Sequence, residues 1–216
     1  MTDLSPTPNE TDGSESTQYS EVVASLIDRL PPSQLGPGTA ADAGLRQSLR
    51  VVLANLSDRD LFLPRQSMVD AGAAACCRAG LWLGCDFLEE SHSISQGMET
   101  PSGSYWHGIM HRREPDPDNA KYWFHRVRRH PIFVPLAAAA AQYVNSQSAS
   151  SPSESATPAA AAYLATQTVW DPARFVDLCE RMRGTDSHGE QLCRTIARIE
   201  WRLLFNHCHR QALGLE

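Results

Sequence analysis

"GEQLCRTIARIEWRLLFNHCHRQALG", residues 189–214, decides the fold class. Leu192, Ile196, Ile199 and Leu203 recur at intervals of four, three and four. That period belongs to an α-helix with one apolar side. It predicts a helix over 189–212, stopped by Gly214.

The same period recurs upstream. "WDPARFVDLCERMRG" starts on Asp171 as a cap with Pro172 in the first helical position, and Gly184 lies past its end. "DPDNAKYWF" repeats the device with Asp116 and Pro117, and Ala120, Trp123, Phe124 and Val127 form its apolar stripe. This helix ends before Pro131. An alanine-rich helix is predicted over about 133–146. A compact helix is predicted from Ser104 to Arg113, stopping near Pro115. Further upstream, "QSMVDAGAAACCRAGLWLGCDFLEE" reads as one long helix over 66–90, whose small residues suit a central position. Two amphipathic helices precede it. One is in "YSEVVASLIDRL", with Val22, Val23, Leu26 and Leu30. The other covers about 41–57, with Leu45, Leu49, Leu53 and Leu56.

No segment alternates as a strand does, and no Asn-Gly hairpin or internal repeat is present. The sequence therefore predicts an all-α fold: seven to eight helices in a single irregular bundle. A disordered acidic tail over 1–18 precedes one helical domain over 19–216. A flexible Ser/Pro/Ala-rich connector is expected at about 147–158, in "SQSASSPSESATP".

Composition narrows the function classes. The chain of 216 residues is 42% hydrophobic and carries a net charge of −6, which suits one core and gives no general attraction to nucleic acid or anionic lipid. The longest apolar run, "IFVPLAAAAA", is far shorter than the roughly 20 residues a bilayer span needs. The polar start, "MTDLSPTPNETDGSES", is not a secretory signal. Six cysteines without a C-x-x-C spacing read as reduced, buried thiols in a cytoplasm.

The chemistry-bearing stretch is "SYWHGIMHRREPD", residues 104–116. At about 100° per residue, His107, His111 and Glu114 fall at about 0°, 40° and −20° around a helix. Two histidines four apart can share one metal ion. Gly108 stands where a zinc-protease helix would carry its glutamate base, so that motif is excluded. Two histidines and a carboxylate would instead suit zinc, iron or manganese with open positions. Pro115 turns Glu114 out of helical geometry, so help is needed from elsewhere. Glu89 and His92, three apart at the end of the long helix, would supply it if that helix packs on the 104–113 helix. The alternative is a structural polar core in which Glu114 and Glu89 pair Arg112 or Arg113. On the last helix, Glu200 and His207 share a face.

Basic residues concentrate between 104 and 130. Arg112, Arg113 and Lys121 are candidates for holding an anionic substrate group. Tyr122 and Arg126 offer a basic aromatic face for a small anionic ligand or an acidic protein partner. The patch is too short for a dedicated nucleic-acid binder.

The run from Trp106 to Phe124 resembles a family of uncharacterised proteins sharing a W-H-x-I-x-H-R-R-E-x-D-x-x-N-A-K-Y-W-F block. The resemblance covers about a fifth of the chain. It implies that the block is a family hallmark and implies no activity, cofactor or fold. Many such proteins read Y-W-F-R-R where this chain has His125 after Phe124, so no role passes to His125.

The functional expectation is a cytoplasmic helical protein with a polar or metal-binding pocket on His92, His107 and His111. Glu114 or Glu89 would act as a further ligand or as a general base in hydrolytic or redox chemistry. The competing readings are a non-catalytic interaction module and a protein whose histidines are core polar groups.

Overall fold

A computed structural model describes residues 18–31, 33–37, 43–150 and 159–215. The expected acidic tail, except Gln18, and residues 151–158 of the expected connector lie outside the described residues. The described residues form nine α-helices, two 3₁₀ segments and no strand. The helices are α1 Glu21–Asp28, α2 Ala43–Asn55, α3 Ala71–Gly84, α4 Leu88–Ser95, α5 Pro101–Arg113, α6 Pro117–Val127, α7 Phe133–Ser150, α8 Pro172–Met182 and α9 His188–Ala212. The 3₁₀ segments are Asp58–Leu61 and Ala159–Ala165. The all-α expectation therefore stands.

Short polar side chains start most of these helices. Ser20, Asp70, Thr100, Asp116, Asp171 and Ser187 each accept a hydrogen bond from a backbone N–H of the first turn. That contact removes one of the four donors a helix start leaves unpaired. Three of the caps are followed directly by proline at the first helical position. Thr100–Pro101 is the third such pair, and it starts α5 three residues earlier than the expected Ser104.

The expected helix over 66–90 is two helices, and this break accounts for the ninth. Residues 66–69 precede the Asp70 cap and are not helical. At the other end, Asp86 adopts φ +68, in the left-handed region, and breaks the run between α3 and α4. Arg113 fixes this corner. Its guanidinium donates to the Leu83 carbonyl at 3.2 Å and pairs with the Asp86 carboxylate. The same side chain donates to the Gly36 carbonyl at 3.1 and 3.2 Å. At the expected connector, by contrast, helix α7 runs on through Ser150.

Helix α5 is the axis of the molecule. Every residue from Ser102 to Arg113 is buried. It packs against α3, α4 and α6, while α9 packs against α3, α7 and α8. Close approach depends on two glycines. A Cβ at Gly80 would lie 2.7 Å from the Trp106 ring, and one at Gly108 would lie 2.9 Å from Phe124. Gly108 thus seats α6 on α5, where the zinc-protease pattern would need a glutamate. Trp201 ties α9 to α3 by donating from Nε1 to the Gly80 carbonyl at 2.7 Å. No helix among the described residues is long and apolar enough to cross a membrane.

Candidate metal centre

His107 and His111 lie one turn apart on α5, and their Nε2 atoms are 2.9 Å from each other. The break at Asp86 reorients the chain so that α4 packs on α5. His92 of α4 thereby meets both rings edge-on, with centroids 4.8 Å from His107 and 5.4 Å from His111. One ligand nitrogen from each of the three histidines lies within 4.8 Å of the other two. His107 and His111 are buried and His92 is half-buried. The expectation that a residue from outside the stretch would come across to the histidine pair is met by His92.

Helix α6 closes the other side. The Trp123 ring stacks on His107 at 3.9 Å between centroids, with 12° between planes. The Asn119 amide nitrogen lies 3.1 Å from Nε2 and 3.3 Å from Nδ1 of His111. Neither residue stood out in the sequence as part of a site. The available signal was their spacing of four on a helix adjoining the histidine helix.

The protonation pattern follows from burial. Desolvation pushes the His107 pKa down to about 4, helped by the nearby His111 and His92 rings and opposed weakly by the Ser95 backbone carbonyl. Burial also lowers that of His111, against the attraction of Glu114. Both rings are therefore neutral at pH 7, each with one bare nitrogen. Glu114 fixes which nitrogen this is on His111. Its carboxylate lies 3.2 Å from Nδ1, so the proton sits there and the lone pair is on Nε2. In that state His107 donates from Nε2 to His111 Nε2. Its own Nδ1 is then a buried acceptor without a hydrogen-bond partner. Leaving such an atom unsatisfied costs about 1–3 kcal/mol.

The geometry suits a metal ion. With bonds of roughly 2.1 Å, a 2.9 Å nitrogen pair subtends about 90° at the ion. A tetrahedral site would need a separation of about 3.4 Å on the same bond length. A near-right angle is that of adjacent positions in an octahedron. Glu114, placed behind His111 with its carboxylate on Nδ1, is positioned to orient that ring.

The remaining expected site residues lie elsewhere. Glu89 is exposed on α4 and does not join the converging nitrogens. Arg112 faces away from the histidines and binds the Glu200 carboxylate at 2.5 Å. Tyr105 donates to the other oxygen of Glu200 at 2.8 Å. Burial is the largest single influence and works against the Arg112 charge, but the attractions of Glu200 and its neighbours together leave the Arg112 pKa raised. Arg113 holds the Asp86 corner, and Lys121 pairs with Asp177 of α8. The structural alternative expected Arg112 and Arg113 to pair with Glu114 or Glu89; their partners are instead Glu200 and Asp86. Tyr122 is 55% exposed, and the Arg126 guanidinium lies 5.1 Å from the Trp123 ring centre and 6.0 Å from that of Tyr122. His125 is exposed.

No protein-family model, curated protein or solved structure matches the chain. The likeness of the Trp106–Phe124 block to other proteins thus brings no function with it, and the site stands on its geometry. His107, His111, Glu114, Asn119 and Trp123 all fall inside that block.

Proposed function

We propose that the protein is a metal-dependent enzyme, a hydrolase or an oxidoreductase, with one divalent ion held by His92, His107 and His111. The observation that carries this reading is the convergence of three imidazole nitrogens from two helices within 4.8 Å. Neutral imidazoles are the form that binds metal, and burial keeps His107 and His111 in that form. Three protein ligands would leave positions for water or substrate, and the ion would supply polarisation of an oxygen or electron exchange there. Glu114 orients His111 from behind. On metal binding, the His107 proton moves to Nδ1, and the Ser95 carbonyl is assigned as its acceptor. Asn119, whose amide nitrogen lies 3.1 Å from His111 Nε2, is assigned to a bound water or substrate oxygen.

Arg112, Arg113 and Lys121 neutralise Glu200, Asp86 and Asp177. The reading therefore gives the anionic end of a substrate to Tyr122 and Arg126, which stand beside the Trp123 roof. The six buried, unpaired thiols suit a reducing cytoplasm. The same exposed Tyr122–Arg126 face supports a second reading, docking of an acidic partner. Under that reading Arg126→Ala abolishes docking and the histidines are dispensable.

The deciding experiment is elemental analysis of protein purified without a histidine tag, then of the His107→Ala/His111→Ala variant. Stoichiometric metal in the first and none in the second is expected. Wild-type protein that carries no metal and takes up neither zinc, iron nor manganese on addition sinks the proposal.

A further inference from the structure

A second pair of histidines lies apart from the metal centre, in a cleft of about 270 Å³ beside the start of α5. His130 and His207 meet there edge-on, with ring centroids 4.8 Å apart. Ser102, Arg129, Gln211 and Asp70 also line the cleft. These residues come from α5, the α6–α7 connection, α9 and the cap of α3.

Two kinds of chemistry are excluded by the arrangement. Among the described residues, the group of histidines, cysteines and carboxylates that converges tightly enough for a metal is His92, His107 and His111, so none forms in this cleft. Nor is Ser102 an activated nucleophile. The Ile132 N–H donates to His130 Nδ1 at 3.4 Å, so the neutral ring carries its proton on Nε2. That proton goes to Ser102 Oγ, 3.1 Å away. His130 is thus a donor to the serine and cannot take its proton. Burial, with the adjacent His207 ring, holds His130 neutral by pushing its pKa down to about 3.

The same tautomer makes the cleft a donor site. Ser102 Oγ already accepts from His130, so its hydroxyl hydrogen is free to point into the cleft. The Ser102 N–H, in the first turn of α5, has no acceptor within the helix. The Arg129 guanidinium stands at the rim, and no carboxylate among the described residues forms an ion pair with it. Gln211 adds an amide. The one carboxylate in the lining, Asp70, accepts from the Ala73 N–H at 2.9 Å and so faces the start of α3. A hydroxyl, a helix-start N–H, an amide and a guanidinium from residues that line one small cleft suit an oxyanion.

We propose that this cleft binds a small oxyanion, either a phosphate group or a carboxylate, held by Ser102 and Arg129 beside the His130–His207 pair. The proposal is independent of the metal centre. Its test is titration of the full-length protein with inorganic phosphate and, separately, with acetate, following the ring Cε1–H signals of His130 and His207 by NMR. Saturable shifts of both signals are expected with at least one of the two anions, and the tighter one identifies the source. Arg129 is exposed, so Arg129→Ala will fold, and it should weaken binding about tenfold, as will Ser102→Ala. His92→Ala should leave the affinity unchanged. If neither anion gives a saturable shift, or if Arg129→Ala and Ser102→Ala both bind as tightly as wild type, the inference is overturned.

Discussion

His111 and Arg112 are neighbours on α5, about 100° apart around the helix, and they enter opposite environments. On the Arg112 side, a guanidinium, a carboxylate and a phenol close on one another through Glu200. On the His111 side, three imidazoles converge, with only one half-exposed carboxylate behind them. Both regions are buried and polar. The first contains its own counter-charge and holds α5 to α9. The second holds two imidazole nitrogens 2.9 Å apart that share one proton, and a Nδ1 without a partner. Arg112 Nη1 and His107 Nδ1 both lack a hydrogen-bond partner, so the difference lies in charge: the Arg112 side is neutralised from within by Glu200, and the histidine side presents neutral nitrogen ligands, the form that takes a cation.

The paired side should be the more fragile to single substitution. Glu200→Ala leaves the Arg112 charge buried and uncompensated, because Phe175 and Phe124 offer it only ring faces, at 4.8 and 5.9 Å. The expected loss is about 3–5 kcal/mol, read as a fall in the urea midpoint. A loss below about 1 kcal/mol, the range of an exposed ion pair, would show that water reaches Arg112 and would break the contrast. The double change Arg112→Met/Glu200→Leu should recover most of the loss, since it removes both charges together.

The two sides also differ in how far the sequence announces them. His107 and His111 are legible because their spacing is local, and helix geometry alone puts them on one face. The arrival of His92 was legible only as a condition on helix packing. That condition depends on the turn at Asp86, where Gly84 ends α3 but the left-handed position itself is an aspartate. A left-handed aspartate held by Arg113, 27 residues away, is a tertiary effect that local propensity does not contain. The Arg112–Glu200 bond, 88 residues apart, is invisible for the same reason. Thr100–Pro101 was readable, being the same cap-and-proline device as Asp116–Pro117. Its neighbours Ser102 and Gly103 look like loop residues, which hid it. Helix class came from periodicity, and periodicity does not say which helix is central. The small residues of α3 suggested that helix, whereas α5, with its two histidines and two arginines, is buried from Ser102 to Arg113.

If the histidine side is short of a partner, supplying one should stabilise the protein. A metal ion at about 100 times its dissociation constant should add about 2.7 kcal/mol, visible as a rise in melting temperature. The rise should vanish in His107→Ala/His111→Ala. An unchanged rise in that variant would place the ion elsewhere. Glu114→Gln sharpens the point more finely. It keeps the shape but removes the charge that holds the proton on His111 Nδ1, 3.2 Å away. Metal affinity should fall by about tenfold to hundredfold, the usual cost of losing such an orienting carboxylate, while Glu89→Gln should change nothing measurable. Equal losses in the two variants would mean that Glu114 acts only through general surface charge.

The smallest expected effect is on pH dependence. Burial lowers the folded-state pKa of His107 to about 4, while in the unfolded chain it titrates near about 6.5. Between these values the unfolded state holds the extra proton, so stability rises with pH across this window. The contribution is fully present above about pH 6.5. It declines as pH falls and levels off near about pH 4. From pH 7 to pH 6 alone, metal-free protein should lose about 0.7 kcal/mol through this one ring. His107→Gln should lose that much less over the same step, because glutamine has no proton to gain. His130 and His209, whose pKa values burial also lowers, add to the total decline in both proteins and cancel in the difference. An identical decline in wild type and His107→Gln would mean that the ring is solvated well enough to titrate normally. The lone pair assigned to the metal would then have water as its partner, and the contrast between the two sides of α5 would fail where it matters most.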